Sequence, residues 1–144
     1  MTQSPIKVLL VEDSPIALSI LRKLLDSAPE VEVVGTANNG TEALNLIPKV
    51  QPAVICTDLK MPKMDGVEFI KQVMANSPLP ILVISDGVQK QDVDNIFEVL
   101  KAGAVDTMPK PPAISSIQQE EFKKSLITKI RVLASKRVTA KPVM

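Results

Sequence analysis

The chain alternates short, solidly apolar runs with segments whose apolar residues recur every three or four positions, and this rhythm narrows its fold more than any other feature. Lys7–Val11 reads as a strand. Ser14 and Pro15 then open a helix, the serine as cap and the proline in the first turn, and Leu18, Leu21, Leu24 and Leu25 follow at helical spacing until Pro29. The alternation continues with a strand over Val31–Ala37, a breaker at Asn39-Gly40, and a helix over Thr41–Val50 that Pro48 should distort. Next come a strand over Ala53–Asp58, a third helix over Val67–Asn76, a strand over Ile81–Ser85, and a fourth helix over Lys90–Ala102 stopped by Gly103. A short fifth strand, Val105–Met108, precedes a last helix from about Ser116. There Gln119 is placed for a capping box, and Phe122, Leu126, Ile130 and Leu133 share one face.

Strands that are apolar on both faces and alternate with helices imply a five-stranded parallel sheet covered by helices on each side. The class is doubly wound α/β, and the flavodoxin-like strand order 2-1-3-4-5 is one of its two common solutions, with ligands at the carboxyl ends of the strands. At 144 residues, a single domain over 6–134 is expected, with tails at 1–5 and 135–144, the latter a tail or linker. Apolar residues make up 45% and charged residues 23%, and no apolar run nears the ~20 residues a membrane span needs, so a soluble protein with no membrane association is expected. Val8–Val11 is too short for a signal-peptide core and runs into Glu12 and Asp13, which points to the cytoplasm. A net charge of +1 gives no footprint for direct nucleic-acid binding beyond a mildly basic tail carrying Lys136, Arg137 and Lys141.

The chain contains no histidine, which excludes histidine-dependent triads, histidine-ligated zinc and a histidine phosphocarrier within it. Any chemistry must run on carboxylates, hydroxyls and lysines. The lone Cys56 lies in an apolar run and reads as a buried, inert thiol.

In a parallel sheet the strand ends share one rim, and here they bring Glu12, Asp13, Asp58, Ser85 and Lys110 together. Three crowded carboxylates repel one another unless a hard cation sits between them, and magnesium suits oxygen ligands of this kind. Asp13, Asp58 and a backbone carbonyl would leave positions open for water and a phosphoryl oxygen, with Lys110 as a second positive charge. Singly, each residue has an ordinary explanation: a helix-dipole pair at Glu12-Asp13, a cap at Ser14-Pro15, a turn at Met61-Pro62, a strand-end hydroxyl at Ser85, a surface amine at Lys110. Asp58 is harder to dismiss, because an uncompensated carboxylate at the end of a buried strand is costly.

These residues resemble the receiver domains of response regulators over about Ile6 to Leu133. The resemblance rests on Val-Leu-Leu-Val-Glu-Asp-Ser at 8–14, Asp-Leu-Lys-Met-Pro-Lys-Met-Asp-Gly at 58–66, Ser85, Gly103-Ala104 and Lys110-Pro111. Within the family the chain looks most like the receiver part of chemotaxis methylesterases, through Val31–Ala37 and the Ile84-Ser85 strand end. The resemblance implies that Asp58 takes a phosphoryl group from a phosphohistidine on a sensor histidine kinase and becomes an acyl phosphate. It further implies that Asp13 and the Lys60 carbonyl ligate magnesium, that Glu12 acts through a water, and that Lys110 and Ser85 hold phosphoryl oxygens. Lys110-Pro111 would be a cis peptide. The downstream partner is a protein target or an output domain on a longer chain; such a domain would have to lie beyond these 144 residues, because a methylesterase triad needs histidine. Catalysis by the chain itself is at most slow self-dephosphorylation.

Three features depart from the family pattern. Thr107 replaces the usual aromatic three residues before the lysine; Asp86 follows Ser85 where a small residue is usual, which should slow small anionic phosphodonors; and the connection from Pro111 to Ile117 is long. The last alters a face that family members use to bind partners or form homodimers. These departures keep a second reading alive, a pseudo-receiver that docks without phosphorylation. An aspartate-nucleophile phosphatase of the haloacid dehalogenase kind needs an aspartate two residues after the nucleophile, where this chain has Lys60, and no phosphate-binding glycine loop of the nucleotide-binding kinds is present.

Overall fold

The computed structural model describes residues 4–59, 61, 64, 66–85, 101, 106–110 and 116–135. In chain order these form β1 (Ile6–Val11), α1 (Pro15–Asp26), β2 (Val31–Ala37), α2 (Gly40–Val50), β3 (Val54–Thr57), α3 (Gly66–Asn76), β4 (Ile81–Ile84), β5 (Asp106–Met108) and a C-terminal helix, α4 (Ser116–Ala134). Of the expected helix over Lys90–Ala102, only Lys101 falls within the described residues. The tail from residue 136 onward lies outside them, as does the segment preceding Ser116.

The strands form one sheet in the order β2-β1-β3-β4-β5, with every pairing parallel. This is the doubly wound, flavodoxin-like order. Period-two alternation along the central strands separates two cores. Val8, Leu10, Val54, Cys56, Leu82 and Ile84 face α1 and α4, where they meet Leu21, Leu25, Phe122, Leu126, Ile130 and Leu133. Leu9, Val11, Ile55, Ile81 and Val83 face α2 and α3, where they meet Ala43, Ile47, Phe69, Ile70, Val73 and Met74. Burial on both faces is why the strands read as unbroken apolar runs. Cys56 lies fully inside the first core, and desolvation pushes its thiol up to about 12, so it stays protonated.

Local chemistry sets the helix ends. Ser14 caps α1 by accepting from the Ala17 N–H at 3.3 Å, with Pro15 in the first turn. Asn39 does the same for α2, its Oδ1 accepting from the Glu42 N–H at 2.8 Å, so that helix begins at Gly40 rather than Thr41. The pair expected only to break the chain is therefore a cap. Pro48 is accommodated near the end of α2, which closes at Gln51 in the left-handed conformation. Among the described residues no helix is long and apolar enough to cross a membrane.

Candidate functional site

Sheet register brings the predicted rim residues together. Val11 pairs with Thr57 in the β1–β3 ladder, so the residues that follow them, Glu12-Asp13 and Asp58, emerge side by side. Each is fixed through its main chain: the Asp58 N–H donates to the Val11 carbonyl at 3.0 Å, the Glu12 N–H to the Ala37 carbonyl at 2.9 Å, and the Ser85 N–H to the Met108 carbonyl at 3.0 Å. A carboxylate oxygen from each of Glu12, Asp13 and Asp58 lies within 4.8 Å of the other two. Glu12 is 2% and Asp58 5% exposed, whereas Asp13 faces solvent.

Lys110 closes the group from β5. Its Nζ stands 3.0 Å from Glu12 Oε1 and 3.2 Å from Asp58 Oδ2, bridging two carboxylates that would otherwise repel. The second oxygen of Glu12 accepts from the Ser14 N–H at 3.1 Å, and Oδ1 of Asp58 accepts from the Leu59 N–H at 2.7 Å. Burial raises the Glu12 pKa above the ordinary carboxylate value, and the Asp58 charge adds to the rise, while the Ser14 N–H and Lys110 only partly offset it. For Lys110, burial works against the charged form, but the hydrogen bonds and charges of Glu12 and Asp58 prevail and raise its pKa. Among the described residues no buried polar side-chain atom lacks a partner.

Three carboxylates against one ammonium leave an excess of two negative charges when all are ionised. Every donor in the group is a hard oxygen, and the only cysteine is sealed in the core, so the set fits a hard divalent cation rather than a soft one. Lys60, Asp86 and Pro111 lie outside the described residues, and with them the expected carbonyl ligand, the expected donor repulsion and the expected cis bond. Ser85 sits at the carboxyl end of β4, buried, on the same rim.

A parallel sheet with this order, carrying buried acids and a bridging lysine at its carboxyl edge, is the arrangement of one large family. The chain belongs to it: the model of the response regulator receiver domain matches residues 8–120. It is a receiver domain of two-component signal transduction, and its likeness runs to the receiver part of the methylesterase branch. The response regulator domain of Thermotoga maritima CheB is 32% identical, superposes with a TM-score of 0.80, and the match covers 92% of this chain and 98% of that one. The protein-glutamate methylesterase/protein-glutamine glutaminase of Pyrococcus horikoshii is 36% identical over 129 residues, covering 90% of this chain and 35% of that protein. For its second counterpart in Carboxydothermus hydrogenoformans the figures are 39% over 134 residues, 93% and 38%. The chain thus spans a little over a third of the length of these curated relatives. The alternative of a docking module that works without phosphorylation is not favoured, since the solved neighbours include the RcsB receiver domain of Salmonella enterica in the presence of phosphomimetic BeF3-, at 27% identity, TM-score 0.73, and coverage of 94% of this chain and 93% of that one.

Sequence reasoning missed several contributors. Thr57 Oγ1 donates to the Asp58 carbonyl at 3.0 Å, Gly66 sits against Leu59, and Lys129 of α4 pairs with Asp106 of β5 at 2.9 Å. Only the Asn39 cap had a readable signal, an asparagine three residues before Glu42. Thr107, where many receivers carry an aromatic, is half-buried, with its N–H donating to Asp106 Oδ1 at 2.8 Å.

Proposed function

We propose that Asp58 is the phosphoacceptor and that the chain receives its phosphoryl group from a phosphohistidine on a sensor histidine kinase. The observation that carries this reading is the convergence of Glu12, Asp13 and Asp58 within 4.8 Å, with the Lys110 ammonium bridging two of them. An Asp58 carboxylate oxygen attacks phosphorus as the phosphorus–nitrogen bond of the donor breaks, and the electron pair of that bond stays on the departing imidazole nitrogen. Glu12, Asp13 and Asp58, with the Lys60 carbonyl, would hold a magnesium ion, which when bound supplies positive charge to the phosphoryl oxygens and offsets the excess of carboxylates. Lys110, already at Asp58, needs only a small swing to follow the charge onto the incoming group. Ser85 offers a hydroxyl from the neighbouring strand end, and capture of a phosphoryl oxygen there converts modification into a changed surface. The transferring group is largely metaphosphate-like, so a site that positions and compensates charge suffices without a histidine.

The partners on this reading are the kinase and an output that the phosphorylated face controls. Likeness to methylesterase relatives supports a chemotaxis setting and an output of that enzyme class, carried on the same chain or another, and a cytoplasmic location accords with such partners. Phosphotransfer from candidate kinases tests the assignment. The parent protein should gain one phosphoryl group, seen by mass, only with magnesium present, and Asp58→Asn should gain none. Labelling of Asp58→Asn equal to the parent, or labelling indifferent to magnesium, would overturn it.

A further inference from the structure

The connection that carries the chain from Asp58 to α3 touches the rest of the molecule at one unusually close point. Gly40, the first residue of α2, is buried, and a Cβ built on it would stand 2.9 Å from Met64 Sδ and 3.1 Å from both Met64 Cβ and Cγ. The thioether could turn aside, but Met64 Cβ is tied to the backbone, so even an alanine at 40 must displace the main chain at 64. Gly40 has little freedom to retreat. Asn39 before it is buried and holds the Glu42 N–H at 2.8 Å, and the Ala43 N–H donates to the Asn39 carbonyl at 3.1 Å.

From Met64 the effect has a short physical path to the acids. Two residues on, the Gly66 N–H donates to the Leu59 carbonyl at 2.7 Å, and a Cβ on Gly66 would lie 2.6 Å from Leu59 Cα and 2.7 Å from the Asp58 carbonyl oxygen. The Leu59 N–H in turn holds Asp58 Oδ1 at 2.7 Å. Resting on the reading of the rim as a cation site, we infer that Met64, seated on the bare Cα of Gly40, is a positioning residue: it clamps the return of the chain at Gly66 and thereby sets the Asp58 carboxylate for the metal. The start of α2, which contributes no ligand, is thus one of the walls that define the site.

The test compares Gly40→Ala, Met64→Ala, Met64→Leu and the double variant Gly40→Ala/Met64→Ala with the parent, and uses Gly35→Ala as control, where an added Cβ meets only ordinary contacts of 3.4–3.8 Å. Two quantities are read: the magnesium dissociation constant by calorimetry, and the exchange rate of the Gly66 amide by NMR in metal-free protein. Gly40→Ala and Met64→Ala should each weaken magnesium about threefold to tenfold and speed Gly66 exchange by a similar factor, while β3 amides and Gly35→Ala stay as in the parent. Met64→Leu should keep most of the parent behaviour, and the double variant should match Met64→Ala, because the clash has no partner left. Unchanged Gly66 exchange in both single variants, or effects in the double variant that simply multiply, would overturn the inference, and Met64→Ala serves if Gly40→Ala does not fold. Should the parent bind no magnesium, the cation reading fails on its own, and the exchange data still decide whether Met64 clamps Gly66.

Discussion

The interior of the sheet and the rim at its carboxyl ends belong to the same strands but hold opposite chemistry. Within the sheet, Leu9, Val54, Ile55, Ile81 and Leu82 are wholly buried against apolar helix faces. The buried polar residues among those described, Glu12, Asn39, Thr57, Asp58 and Ser85, all stand at or just beyond strand carboxyl ends. A fold selected for stability alone would gain by replacing buried ion groups with well-packed apolar ones. Their concentration at one edge shows where stability yields to function, and the apolar interior is what holds the edge rigid.

This division can be broken most forcefully in the interior. Phe69→Ala, which empties a fully buried position between α3 and the sheet, should cost about 3–5 kcal/mol in urea unfolding while leaving phosphorylation per folded molecule intact. A loss of phosphorylation in the folded fraction would show that the two regions are not separable.

At the rim, Lys110→Met should cost about 1–3 kcal/mol in the absence of divalent cations, because it strands Glu12 and Asp58 without their shared partner, discounted for the partial exposure of the ammonium. The same pair has a pH signature. With its folded pKa raised above the ordinary 10.5, Lys110 contributes stability that is fully present below pH 10.5 and is lost as pH rises through the folded value. Denaturant midpoints followed into the alkaline range should therefore fall more steeply for the parent than for Lys110→Met, and parallel curves would count against the bridge.

Ser14→Ala removes the α1 cap beside the acids and should cost about 1 kcal/mol by thermal unfolding. Asp58→Asn should alter stability least, by less than about 1 kcal/mol and upward, since it relieves repulsion while Glu12 keeps Lys110. A drop of several kcal/mol in Asp58→Asn would sharpen the comparison the other way, making the acid a structural member of the rim.

Much of this was legible without coordinates, and the reason is range. The Ser14 cap and the helical spacing of Leu18, Leu21 and Leu25 act over one to four residues. The face shared by Phe122, Leu126, Ile130 and Leu133 is likewise local, and all four are buried as expected. Element ends moved by a residue or so where a side chain decided them, as at Asn39. β3 stops at Thr57 and β4 at Ile84, just short of the expected strand ends at Asp58 and Ser85.

Sequence by itself determined the strand-helix rhythm, the apolar strands, the caps, and the set of polar residues awaiting a common edge, because these depend on neighbours along the chain. Tertiary structure alone decided that Lys110 bridges Glu12 and Asp58, that Lys129 pairs with Asp106, and that Met64 rests on Gly40. Those contacts join residues distant in the chain. They exist only once the parallel register has set Val11 beside Thr57 and Ile84 beside Met108.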